Sequence, residues 1–190
     1  MMHFIDTHCH LDAAEFGGAA ATLIQEAREA GVGTMVVPGV ERANLAAVHR
    51  IGTEHRCCAP AYGIHPMYVE RATPADLDVV REYLQQPGTV AAGEIGLDFF
   101  VENYDRKNQE FYFAAQLKLA REFDLPVLLH IRRAQDTVLK YLRQQKVRGG
   151  IAHAFNGSPQ QAAEFIKLGF KLGFGGAMTY TRATKLRELA

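Results

Sequence analysis

HFIDTHCHLD, residues 3–12, places His8 and His10 two positions apart behind an apolar run that also carries Asp6. HFIDTH, residues 3–8, reads as a strand, and strand alternation sends residues i and i+2 to the same face. Both imidazoles then project together from one rigid segment, while Cys9 between them faces the other way and packs as a small hydrophobe. Two imidazoles and a nearby carboxylate suit a divalent cation, which takes ring nitrogen and carboxylate oxygen as ligands. Asp6 either caps the following turn or orients an imidazole.

The rest of the chain repeats this strand pattern. Six further β-rich runs succeed the first: GTMVVPG (33–39), CCAPAYGIHP (57–66), TVAAGEIGLD (89–98), PVLLHI (126–131), GGIAHAF (149–155) and FKLGFGG (170–176). Amphipathic helical patterns lie between them. One covers roughly 105–123, with Phe111, Ala115, Leu119 and Phe123 as its apolar stripe. Thr73 and Ser158 read as helix caps in front of Pro74 and Pro159. Strict alternation of this kind predicts a parallel sheet. A doubly wound sheet would carry a glycine-rich turn after its first strand, and here no glycine occurs before Gly17. The expected fold is therefore an α/β TIM-type (β/α)8 barrel over residues 1–190, as one domain with its last strand and helix missing. Full barrels run to about 250 residues.

Bulk properties narrow the function classes. Lys plus Arg and Asp plus Glu balance at 21 each in 190 residues, so no global basic field announces a polyanionic partner. No apolar run reaches the length of about 18 residues that a membrane span needs. The first residues lack the apolar core of a signal peptide, and three cysteines, two of them vicinal, make no disulfide framework. A cytoplasmic setting without a membrane partner is expected.

In a parallel barrel, active sites gather at the C-terminal ends of the strands. There this sequence places His8 and His10, then His65, Glu94 with Asp98, His130 and finally His153. Any one of these has an ordinary reading as a hydrogen-bonded structural residue. Together on one rim they would cost several kcal/mol per unpaired buried group, about 2–7 for a neutral one, unless a cation engaged them. Arg132 stands two residues beyond His130, suited either to phosphate or to the solvated start of a helix. Tyr62, Tyr68, Phe99, Phe100 and Tyr104 could line a groove and stack bases, though Phe99 and Phe100 read equally well as core. The charge run TRATKLRE (181–188) reads as an exposed helix face.

DTHCHLD, YGIHP, GEIGLD, PVLLHIR and HAFNGS, in this order and spacing, resemble the successive motifs of the TatD family of metal-dependent hydrolases, which belongs to the metallo-dependent hydrolase barrels. The resemblance implies that His8 and His10 bind one metal, that Glu94 bridges two, and that His130 and His153 bind the second. It implies catalysis by Glu94, His130 and His153, and contact of His65 and Arg132 with substrate. Two divalent ions per chain (Zn, Mn, Mg, Co or Ni) and DNA or another phosphodiester substrate are the expected cofactor and partner. Family members carry one more metal-binding aspartate on the last strand, whereas this sequence has none after Asp136. With that aspartate absent, Glu94 or Asp98 would have to serve the attacking water, so metal binding is the firmer expectation and hydrolysis the weaker. Two alternatives stand beside this reading: an amidohydrolase or lactonase on the same barrel, or a catalytically impaired metal-binding fragment. Open edges at the first and seventh strands predict self-association and lowered stability.

Overall fold

The computed structural model describes residues 4–190; His3, where the sequence reading starts its first strand, lies outside them. Seven parallel strands form one sheet in the order β1 to β7: β1 (Phe4–Asp6), β2 (Val32–Pro38), β3 (Cys58–Tyr62), β4 (Ala91–Asp98), β5 (Val127–Arg132), β6 (Gly150–Ala152) and β7 (Phe170–Leu172). Strand order follows chain order without reversal, which is barrel winding rather than the reversed order of a doubly wound sheet. The helices α1 (Ala20–Glu29), α2 (Arg42–Glu54), α3 (Asp76–Leu84), α4 (Arg106–Glu122), α5 (Gln135–Gln145), α6 (Pro159–Lys167) and α7 (Thr184–Leu189) follow the strands in turn. β1 and β7 are the sheet's edges, and Phe4 and Ile5 on β1 are exposed. Among the described residues no helix is long and apolar enough to cross a membrane.

Strands buried on both faces need continuous apolar sequence, and β4 shows it: all eight residues are buried, Glu94 and Asp98 among them. Outward side chains pack with the helices in one large core that includes Leu45, Val48, Phe113, Leu117, Val138 and Phe165. A smaller cluster of Ala61, Ala91 and Leu128 forms a separate core, with Val36 and Ile151 packed on it. Gly96 sits at φ 153° where any Cβ would collide with the His130 carbonyl, so glycine alone lets β4 and β5 come this close.

Two local expectations need correction. Phe111 is exposed, and the buried face of α4 is Gln109, Tyr112, Phe113, Gln116, Leu117, Leu119 and Ala120. Every-fourth-residue spacing drifts about 40° per step around a helix, so the supposed stripe winds off the core. Two glutamines on the real face disguise it. Thr73 does not cap α3, which begins at Asp76; instead the Asp76 carboxylate turns back to accept the Thr73 N–H (2.8 Å) and the Arg42 guanidinium (2.9 Å). Ser158 does cap α6, in a reciprocal box with Gln161.

The α4 glutamines hold the barrel rim. Gln116 accepts the Ile64 N–H (2.6 Å) and donates to the Ile64 carbonyl (3.1 Å), just before His65. One face-repeat earlier, Gln109 treats Asp98 the same way, at 2.9 and 3.1 Å. Gln116→Leu keeps much of the volume but orphans two buried backbone groups. The expected loss is about 1–3 kcal/mol for each, read from urea unfolding at constant m-value.

Candidate metal centre

β1 ends at Asp6, so His8 and His10 lie beyond the strand, not in it as alternation assumed. Asp6 caps the turn with its side chain: Oδ1 accepts the His8 N–H at 3.0 Å. Cys9 donates its N–H to the Val36 carbonyl (3.0 Å) and packs against the core as expected. The two rings nonetheless converge, Nε2 to Nε2 at 2.9 Å. Facing them is Glu94, whose Oε2 lies 3.1 Å from His8 Nε2 and 3.5 Å from His10 Nε2. The other oxygen, Oε1, meets His130 Nδ1 at 3.1 Å and His65 Nε2 at 3.6 Å. Glu94 therefore gives one oxygen to each of two donor groups. Among the described residues, His8, His10 and Glu94 form one set with donor atoms within 4.8 Å of one another, and His65, Glu94 and His130 form the second. His153 belongs to neither set; its ring stacks on His8 at 3.6 Å.

Hydrogen bonds sort these imidazoles. His65 caps a 3-10 turn (Pro66–Arg71), and its Nδ1 accepts the Met67 N–H at 3.1 Å. The neutral ring must then carry its proton on Nε2, the nitrogen aimed at Glu94. Burial lowers the His65 pKa to about 3, against the partly compensating Glu94 charge, which keeps this ring neutral and a donor. His130 has the opposite arrangement. Its Nε2 faces Asp98 Oδ2 at 3.0 Å, a buried carboxylate that fixes the ring and leaves Nδ1 towards Glu94. Burial opposes a charge on His130, but the Asp98 and Glu94 bonds prevail and raise its pKa. Burial, then His8, lowers His153 to about 4. Burial would raise the Glu94 carboxyl, yet the His10, His130 and His8 imidazoles hold it well below the usual carboxylate range.

A cation fits this donor set. His8 Nδ1 is buried without a hydrogen bond, while its Nε2 is wedged between a second imidazole and a carboxylate. Two facing Nε2 atoms can share only one proton, so the arrangement is costly for protein alone and favourable around a divalent ion.

Sequence reasoning placed Asp98 on the rim without its partner, and it missed Asn44. Asn44 Oδ1 accepts the Val40 and Glu41 amides (3.0 and 3.1 Å), and its Nδ2 donates to Asp12 Oδ2 at 2.7 Å. That ties the loop after His10 to the loop after β2; the glutamate and asparagine three apart at the α2 start were the available signal. A cleft of about 550 Å³ beside the centre is lined by His10, Asp12, Glu41, Asn44, His65 and Tyr68 among others. Tyr68 suits a groove. Tyr62 does not: it is fully buried, with its hydroxyl on His49 Nδ1 at 3.0 Å. Phe99 is half-buried and stacks on Tyr104, whereas Phe100 is exposed.

The family model described as TatD related DNase matches residues 5–190. The chain belongs to the TatD family. It is 40% identical to the uncharacterized metal-dependent hydrolase YjjV of Escherichia coli K12, over 98% of this chain and 73% of that one. Its identity to the 3'-5' ssDNA/RNA exonuclease TatD of Klebsiella pneumoniae is 32%, over 97% and 71% of the two chains. The crystal structure of the E. coli YjjV TatD homolog superposes with a TM-score of 0.94, at 40% identity, over 98% of this chain and 73% of that one. The barrel expectation and the TatD resemblance are thereby borne out, and the chain is a metal-dependent hydrolase acting on ester bonds.

The His65 environment makes a pH prediction for the metal-free chain. An unfolded histidine protonates near 6.5, but folded His65 stays neutral to about 3. Over that window the unfolded chain binds the extra proton, so His65 contributes stability above 6.5 that is lost progressively as pH falls. His65→Asn keeps an acceptor for the Met67 N–H and removes the titration. Thermal melts in chelator at pH 7 and pH 5 should show the variant gaining on the wild type at the lower pH.

Proposed function

We propose that the chain cleaves phosphodiester bonds of DNA at this centre, holding two divalent ions on His8, His10, Glu94, His130 and His153. The observation that carries the reading is Arg132. Its guanidinium stands 3.6 Å from Asp98 Oδ2, the carboxylate that fixes His130, and so places a phosphate-matching fork beside the nitrogen and oxygen donors. The nuclease name of the Klebsiella relative supports the same substrate class.

Bound ions would supply Lewis acidity and bring the pKa of water towards about 7. Imidazole with carboxylate favours Zn, Mn, Co or Ni, and Mg serves where it keeps its waters. The chain's own residues then have separate tasks. Glu94 spans the two donor groups and is ionised throughout the neutral range. His65, neutral with a proton on Nε2, is a hydrogen-bond donor to a phosphoryl oxygen rather than a metal ligand. Arg132 orients the phosphate. Asp98 is not a free base: it is fully buried, Oδ2 engages His130, and Oδ1 accepts the Phe100 and Val101 amides at 2.9 and 3.3 Å. Its task is to hold His130.

The test is metal content by elemental analysis alongside cleavage of a labelled oligonucleotide with Mn²⁺ or Mg²⁺. His8→Ala with His10→Ala should abolish metal uptake at that pair, and His130→Ala should abolish cleavage. Unchanged metal content overturns the ligand assignment. Lactone or amide turnover without DNA cleavage overturns the substrate.

A further inference from the structure

Phe100 is a large apolar side chain left half in water, 47% exposed, at the rim of the metal centre. Two consecutive guanidinium groups lie over its ring: Arg132 at 4.1 Å and Arg133 at 4.6 Å from the centroid. Bringing two like charges to one ring is unfavourable unless the ring's negative face and a further anion hold them. Among the described residues Asp98 is the only carboxylate within salt-bridge distance of either, and it already serves His130. Arg133 also adopts φ 52°, a left-handed conformation that non-glycine residues seldom take. Immediately after it α5 begins, at an N-cap, Ala134, that offers no side-chain cap. The one acid in that first turn, Asp136, accepts from Gln161 at 2.9 Å. Positive charge therefore accumulates on this side of the centre, whereas Asp12, Glu15 and Glu41 line the cleft on the other.

We infer that Phe100 and Arg133 form a second phosphate subsite, which grips the strand phosphate next to the one presented to the metal centre by Arg132. The inference rests on the phosphodiesterase reading and gives it a direction: the nucleic-acid backbone leaves the centre over Phe100, and its sugar and base side faces the acidic cleft. Arg133 contacts phosphate, and Phe100 acts as the platform that holds both guanidinium groups in place.

Salt dependence separates this role from simple packing. The probe is a short fluorescent phosphorothioate oligothymidylate, which keeps its charge and resists cleavage, titrated by anisotropy against the Mn²⁺-loaded chain over a range of salt. Arg133→Ala should reduce the slope of log K against log salt by about 0.7, the loss of one single-strand phosphate contact. Phe100→Leu keeps both charges, so the slope should stay while affinity falls about two- to fivefold, the scale of an exposed cation–π contact. A wild-type slope in Arg133→Ala overturns the inference, and so does a lower melting temperature with no change in slope. The two readings fail separately. DNA cleavage with a wild-type slope in Arg133→Ala sinks the subsite alone, whereas an Arg133-dependent slope without cleavage of ordinary DNA sinks the phosphodiesterase reading.

Discussion

Everything at the rim is arranged around one buried carboxylate. Glu94 is 2% exposed in the middle of a strand whose eight residues are all buried. An isolated carboxylate there would be prohibitively expensive and would simply take up a proton. Four imidazoles stand within 3.6 Å of its two oxygens instead, and they keep it ionised. The cost of burying Glu94 is thus offset by groups that are themselves costly to bury. A site of this kind stores an unmet demand for positive charge that a divalent ion can satisfy.

Such an arrangement tolerates little movement, and the surrounding scaffold restricts it. Gly96 lets β5 approach closely enough for His130 to reach Glu94. Two buried glutamines on α4 fasten the backbone just before His65 and at Asp98. Asn44 ties the His10 loop to the loop after β2. None of these groups belongs to the donor sets, yet each fixes a segment that carries one of their members or its partner. They also satisfy backbone groups that would otherwise be buried unpaired beside a charged centre.

The parallel alternation was legible because strands covered by helices on one side and barrel packing on the other must be apolar throughout. The rim histidines and Glu94 were legible because their polarity interrupts those runs. What the pattern hid were polar residues doing apolar residues' positional work. Gln109 and Gln116 sit on the buried face of α4, and reading only for hydrophobicity turned the helix onto Phe111. His65 and His130 look alike in sequence, and only the Met67 amide and the Asp98 carboxylate, both tertiary or loop features, distinguish donor from acceptor nitrogen. Tyr62 could not be told from a groove aromatic until its strand face was known.

A continuous series of contacts runs from solvent to the centre: Phe100 to Arg132, Arg132 to Asp98, Asp98 to His130, His130 to Glu94. Each member makes the next one's state less costly. Burial would raise the Asp98 carboxyl, but the His130 hydrogen bond, then the Phe100 amide and the Arg132 charge, hold it below the usual carboxylate range. Asp98 in turn stabilises the proton on His130 Nε2, which directs Nδ1 inward. Asp98 Oδ2 is thus shared between the Arg132 guanidinium and the His130 ring. The basic rim and the candidate metal centre are therefore one electrostatic unit, because the carboxylate that engages Arg132 also orients the imidazole beside Glu94.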